Sequence, residues 1–132
     1  MEDEVVFEPS GLGLTIFNDR YTHHEGESWE EACERAADHV AAAEHSDKYE
    51  VYRGRFKNQL VSNKFMPGGR IWYGSGRPKA QLLNCFVLGV EDSREGWGKT
   101  TSDVIIISSL MGGIGINASP VRPRGSVIDG TG

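Results

Sequence analysis

A single cysteine, Cys85, follows the polar Asn84 and opens the apolar run Phe86-Val87-Leu88. A thiol at the end of a buried-type strand can face a pocket and exchange electrons with a second thiol through a mixed disulfide. The ordinary reading of a free cysteine is a small buried hydrophobe, and the polar approach to Cys85 weighs against it. Downstream, Glu91-Asp92-Ser93 offers two carboxylates and a hydroxyl. Gly112-Gly113-Ile114-Gly115 offers backbone without side chains, and Arg122-Pro123-Arg124-Gly125 a stiff basic loop. These types, in this order, suit a redox thiol beside an anion-binding loop.

Each piece also has a plainer reading. Consecutive glycine N–H groups can bind phosphate or ribose oxygens, but on spacing alone Gly112–Gly115 reads first as a tight turn between helix and strand. It is no dinucleotide fingerprint, because the third glycine of G-x-G-x-x-G would fall on Ala118. Gly98-Lys99-Thr100 lacks the upstream glycine of a P-loop, its place being taken by Ser93. Arg122 and Arg124 suit bidentate binding of a phosphate or a solvated surface loop equally well. Asp92 and Ser93 suit a ribose or the cap of the following helix. Cys33 lies on the apolar face of an expected helix and reads as core, so a redox role for Cys85 requires a cysteine from outside this chain. The four histidines show no metal spacing, and no metal site is expected.

The elements that must position these residues follow from periodicity. Ser28 is a candidate N-cap, with Glu30 and Glu31 in the first turn, and Trp29, Cys33, Ala36, Ala37 and Val40 recur at helical spacing to about Glu44. A second helix is expected over Asp47 to Val61, with Tyr49, Tyr52, Phe56 and Leu60 on its buried face. Before this hairpin, Leu12 to Phe17 reads as a short strand or extended arm. After it, Pro67-Gly68-Gly69 ends the helical part, and Arg70 to Gln81 reads as loop. Leu82 to Val90 is a strand of the type buried on both faces. Thr100 to Leu110 reads as a helix capped by Ser102, against the β-propensity of Val104-Ile105-Ile106-Ile107, and Gly115 to Ala118 as a second short strand.

Composition bounds the class. The 132 residues are 38% hydrophobic and 25% charged, enough for a modest globular core. A net charge of -5 argues against nucleic-acid binding by bulk electrostatics. No apolar run approaches the ~20 residues of a membrane span, so no membrane association is expected. Two cysteines without a signal peptide favour the reducing cytoplasm.

Three segments carry a family resemblance: Lys64-Phe65-Met66-Pro67-Gly68-Gly69-Arg70-Ile71; Leu83-Asn84-Cys85-Phe86-Val87-Leu88 with Glu91-Asp92-Ser93; and Gly112-Gly113-Ile114-Gly115-Ile116-Asn117 with Val121-Arg122-Pro123-Arg124-Gly125. In their order and separation they resemble the large, catalytic chain of ribonucleotide reductase, over about Ser28 to Gly132. Glu27-Ser28-Trp29 and His39-Val40-Ala41 look most like its adenosylcobalamin-dependent class II. The resemblance implies an α/β fold: a helical region over 1–65, then the first strands of a ten-stranded α/β barrel over 66–132, incomplete alone.

It further implies thiyl-radical reduction of ribonucleotides, with Cys85 as one of two active-site cysteines that become a disulfide. Asn84, Gly112 and Gly113 would line the substrate, with Met66 and Pro67 near its phosphates. Asp92, Ser93 and Arg122 would belong to an allosteric specificity site for a deoxynucleotide, with Ser119 to Gly130 as an effector loop. The implied cofactor is adenosylcobalamin, held mainly outside this stretch. The implied partners are the remaining part of the catalytic chain, a ribonucleotide substrate, a deoxynucleotide effector and a thioredoxin-type reductant, with a dimer among the possible assemblies. The end at Gly132, in mid-motif, leads to the expectation of a split enzyme whose missing groups lie on another chain. The alternative is a free-standing deoxynucleotide-binding module without catalysis.

Overall fold

The computed structural model describes residues 7–127. The chain divides into two compact units, Met1–Leu82 and Leu83–Gly132. The first is helical. It contains α1 (Gly11–Arg20), α2 (Trp29–Ala41), α3 (Ser46–Val61) and the short α4 (Gly69–Gly74).

Helix α2 starts where its chemistry says it should. The Ser28 side chain accepts the Glu31 N–H, and the Glu31 carboxylate accepts the Ser28 N–H at 2.7 Å, a complete capping box. Its buried stripe of Ala32, Cys33, Ala36, Ala37 and Ala41 is made of small side chains, which lets α3 approach closely. Only Leu60 and Val61 of α3 are fully buried. Tyr52 and Phe56 are half-buried beside each other, with ring centroids 5.9 Å apart. On the solvent side Arg53 reaches Asp38 and Glu34, and Lys57 meets Glu30 at 3.1 Å.

Two expectations fail here. Leu12 to Phe17 is helical, not extended. The alternation Leu12, Leu14, Ile16 imitates a strand, yet all three are exposed, and the docked residue is Phe17, edge-on to Trp29 at 5.6 Å. The segment expected as loop from Arg70 contains α4. Its Trp72 is buried against Trp29, with ring centroids 4.8 Å apart, and this contact holds a turn of helix despite the surrounding glycines. Residues 66–82 belong to the helical unit.

A buried ion pair ties these parts together. Arg35 donates to both Glu27 carboxylate oxygens at 2.7 and 3.1 Å, and to the carbonyls of Tyr21, Trp72 and Ser75 at 3.1, 3.0 and 2.8 Å. Glu27 also accepts the His23 N–H at 2.7 Å. Burial alone would raise the Glu27 carboxyl; the Arg35 and His23 hydrogen bonds outweigh it and hold the group below its ordinary range. Burial also lowers the His23 imidazole, with Arg35 and Arg77 adding to the effect against the opposing Tyr73 carbonyl and Glu27.

The second unit is a βαβ arrangement: β1 (Cys85–Gly89), α5 (Arg94–Ser109) and β2 (Gly113–Asn117). The strands are parallel, with Cys85 opposite Gly113 and Gly89 opposite Asn117. Helix α5 is capped by Ser93, whose hydroxyl accepts the Gly96 N–H at 2.9 Å, and not by Ser102, which lies inside the helix. The earlier start is possible because residue 96 is glycine: a Cβ there would stand 2.6 Å from the Glu91 Cβ and carbonyl. The β-branched run Val104–Ile107 stays helical, as length and capping outweigh its strand propensity.

Strand β1 is not buried on both faces. Phe86 and Leu88 are half-buried, while Cys85, Val87 and Gly89 are exposed. The cover on one face is α5. A Cβ at Gly112 would meet both Phe86 and Ile107 at 2.8 Å, so these two side chains sit together at the end of the helix.

Candidate functional site

The residues expected around the thiol come together in the second unit. Cys85 begins β1, and Asn84 precedes it with its carbonyl accepting the Gly113 N–H at 2.8 Å. Gly112 and Gly113 arrive from the end of α5, where Met111 N–H donates to the Ser108 carbonyl at 2.9 Å and Gly112 N–H to the Ile107 carbonyl at 3.1 Å. These two bonds form a Schellman ending. Its left-handed residue is Met111, with φ of 61°, where glycine is usual. The helix is thereby stopped within one residue, and the chain enters β2 with Gly113 beside Cys85. Gly112 is sterically required: its place is closed by Phe86 and Ile107.

The two cysteines are chemically unlike. Cys85 is exposed. Cys33 is buried in the α2 stripe, and burial pushes its thiol up to about 12, with Glu30 adding to the effect, so it stays protonated and unreactive.

Asp92, Ser93 and Arg122 also come together. With Arg94, Trp97, Val121 and the loop through Ser126 they line an open cleft of about 370 Å³. Arg122 spans it as a strut. Its Nε donates to Asp92 Oδ2 at 2.5 Å, one terminal nitrogen to the Asp92 carbonyl at 3.2 Å and the other to the Val127 carbonyl at 2.9 Å. Asp92 also accepts the Arg122 N–H at 3.2 Å. In this arrangement the Arg122 fork is engaged within the protein, and a phosphate would have to share or displace those bonds. Ser93 serves as the α5 cap while its residue also lines the cleft. Trp97, 45% exposed, is a cleft residue that sequence analysis left out. Its signal was available, since it lies one helical turn beyond Ser93. The expected effector loop is described as far as Val127; its remaining residues lie outside the described ones.

Met66 and Pro67 lie in the helical unit. They line a cleft of about 350 Å³ walled by Phe7, Phe17, Trp29 and Trp72, with Met66 half exposed and Pro67 buried. Among the described residues no group of three or more His, Cys, Asp and Glu side chains converges as a metal ion requires, and no helix is long and apolar enough to cross a membrane.

Comparison with known proteins adds the family. The all-alpha domain of ribonucleotide reductase matches residues 7–80, and its barrel domain matches residues 83–132. The chain belongs to the ribonucleotide reductase family. The vitamin B12-dependent ribonucleoside-diphosphate reductase of Mycobacterium tuberculosis (strain H37Rv) is 33% identical over 129 residues, covering 90% of this chain and 18% of that protein. The ribonucleoside-diphosphate reductase subunit alpha of Chlamydia pneumoniae is 32% identical over 126 residues, covering 92% of this chain and 12% of that one. Among solved structures, the class Id ribonucleotide reductase alpha subunit of Actinobacillus ureae superposes with a TM-score of 0.71 at 26% identity, over 96% of this chain and 24% of that chain. The chain thus spans less than a fifth of the curated relatives named here. The helical unit followed by two parallel strands corresponds to the all-alpha domain and the start of the reductase barrel, as the resemblance implied.

Proposed function

We propose that the chain contributes the opening part of a ribonucleotide reductase catalytic site, with Cys85 as one of its redox cysteines. The observation that carries this reading is the exposed Cys85 thiol at the head of β1, beside Gly113, in a chain of this family. In the reaction the ribose C2′ hydroxyl leaves as water. Two thiols supply the two electrons and two protons and become a disulfide, which a thioredoxin-type reductant reopens. Cys33 is unsuited as the second thiol because it is buried and protonated, so the partner cysteine comes from elsewhere in the enzyme. Gly113 stands beside the thiol, Asn84 and Gly112 are the chain neighbours of Cys85 and Gly113, and all three are read as substrate-lining on the family resemblance. Met66 and Pro67 are assigned to the substrate phosphates on the family resemblance alone.

The Asp92–Arg122 cleft is read as a deoxynucleotide effector site. Its volume lies in the range of small-molecule pockets, Trp97 offers a ring for a base to stack on, and Arg122 and Arg124 offer positive charge for phosphates.

The B12-dependent relatives suggest adenosylcobalamin, whose role would be to generate the first radical. The resemblance puts that cofactor mainly outside this stretch, and no cobalamin-binding residue is assigned on this chain. The test is an assay of deoxyribonucleotide formation by the native enzyme captured through this chain, with and without adenosylcobalamin. Cobalamin-dependent product is the expected result. A captured chain that binds deoxynucleotides but forms no product under any cofactor condition would favour a regulatory module instead.

A further inference from the structure

We infer that Gly113 is a positioning residue for the Cys85 thiol: its missing side chain is what allows the sulfur its place at the head of β1. In-register partners on parallel strands project to the same side. Cys85, Val87 and Gly89 therefore share a face with Gly113, Gly115 and Asn117, and Phe86 and Leu88 share the opposite face with the half-buried Ile114 and the exposed Ile116. The Gly-Ile-Gly-Ile pattern of β2 puts its side chains on that opposite face and none beside the thiol until Asn117. The two glycines on the thiol face are not equivalent. A Cβ at Gly113 would stand 3.3 Å from Cys85 Sγ and 3.5 Å from the Asn84 carbonyl, whereas a Cβ at Gly115 meets nothing within 4 Å. Carbon and sulfur at 3.3 Å lie inside ordinary contact distance, so a methyl at residue 113 requires Sγ to give by a few tenths of an ångström, and one at residue 115 requires nothing of it. Both glycines have ordinary negative φ, so alanine at either position meets no backbone penalty, and the contrast reports on the sulfur.

This inference deepens the reading of Cys85 as a redox thiol and rests on it, but its test does not. The rate of alkylation of Cys85 by iodoacetamide is measured by mass spectrometry on the whole chain, for the parent, Gly113→Ala and Gly115→Ala. An off-rotamer side chain is disfavoured by enough to change the population of the parent sulfur position about two- to tenfold. The expected result is a change of alkylation rate of that size in Gly113→Ala and a rate within about twofold of the parent in Gly115→Ala. Equal rates in all three, or an equal change in both variants, would overturn the inference. Should Gly113→Ala unfold, the same substitution is made in a Cys85→Ala background. Restored folding identifies the sulfur as the clashing atom, and persistent unfolding refutes it. If Cys85 has no redox role, the alkylation contrast remains while reductase activity fails to respond, so the two ideas fail separately.

Discussion

Replacing Arg35 by alanine tests the energetic centre of the helical unit. The Arg35 side chain is 15% exposed and the Glu27 side chain 3%. The substitution removes five hydrogen bonds and leaves a buried carboxylate held only by the His23 N–H, together with three carbonyls that lose a donor. Removing one partner of a buried ion pair costs about 3–5 kcal/mol, and the small exposure of Arg35 puts the expected loss near the lower end, about 3 kcal/mol. With a urea dependence of about 2 kcal/mol per molar, the midpoint should fall by about 1.5 M. Trp29 and Trp72 both sit in this core, so their fluorescence follows the transition, in a Trp97→Phe background that silences the third tryptophan. Arg35→Lys should recover only part of the loss, because an ammonium cannot reach the carboxylate and three carbonyls as a fork does. A midpoint shift below about 0.3 M for Arg35→Ala would refute the view that this ion pair joins α2, α4 and the 21–28 loop.

Further expectations follow from other parts of the structure. Acidification should destabilise the helical unit in two stages. His23 has its pKa lowered from 6.5, so its contribution is present above that value and is lost as pH falls through its folded value. Glu27, lowered from 4.5, contributes above its unfolded value and is lost at still lower pH. His23→Gln should remove the first stage in a pH series of melting curves. Met111→Gly should stabilise the second unit by about 1 kcal/mol by relieving the left-handed backbone at the end of α5, read as a higher thermal midpoint; a lower one would contradict the Schellman assignment. Ser93→Ala should cost about 1 kcal/mol through loss of the α5 cap, measured by urea denaturation. A colorimetric thiol reagent at pH 8 should find one reactive thiol in the folded chain and two in denaturant, because burial holds Cys33 protonated.

The sequence was most readable where local chemistry and tertiary packing agree. Ser28 with Glu31 announces α2, and the alanine stripe that follows is its buried face. Cys85 at a strand head was legible because an apolar run of this length has few other readings; Gly113 and Ile114, expected in a turn before a strand at Gly115, belong to β2. The errors came where distant contacts decide. The alternation of Leu12, Leu14 and Ile16 suggests a strand, and only the docking of Phe17 on Trp29 shows why the segment is a helix. The glycines around Arg70 suggest a loop, and the burial of Trp72 overrides them. Ser93 and Ser102 are both plausible caps by type; the choice falls to Ser93 because Gly96 leaves room for the turn against Glu91. In the site, spacing alone left Asp92 and Arg122 open between ligand binding and structure. The geometry brings them together across 30 residues, an ion pair that no local pattern reveals.

The account turns on Cys85, and the most direct measurement is deoxyribonucleotide formation by the assembled reductase carrying Cys85→Ala, supplied with its physiological reductant. The account predicts that product falls to background while the variant chain still assembles and melts like the parent. Multiple turnovers at the parent rate would contradict it.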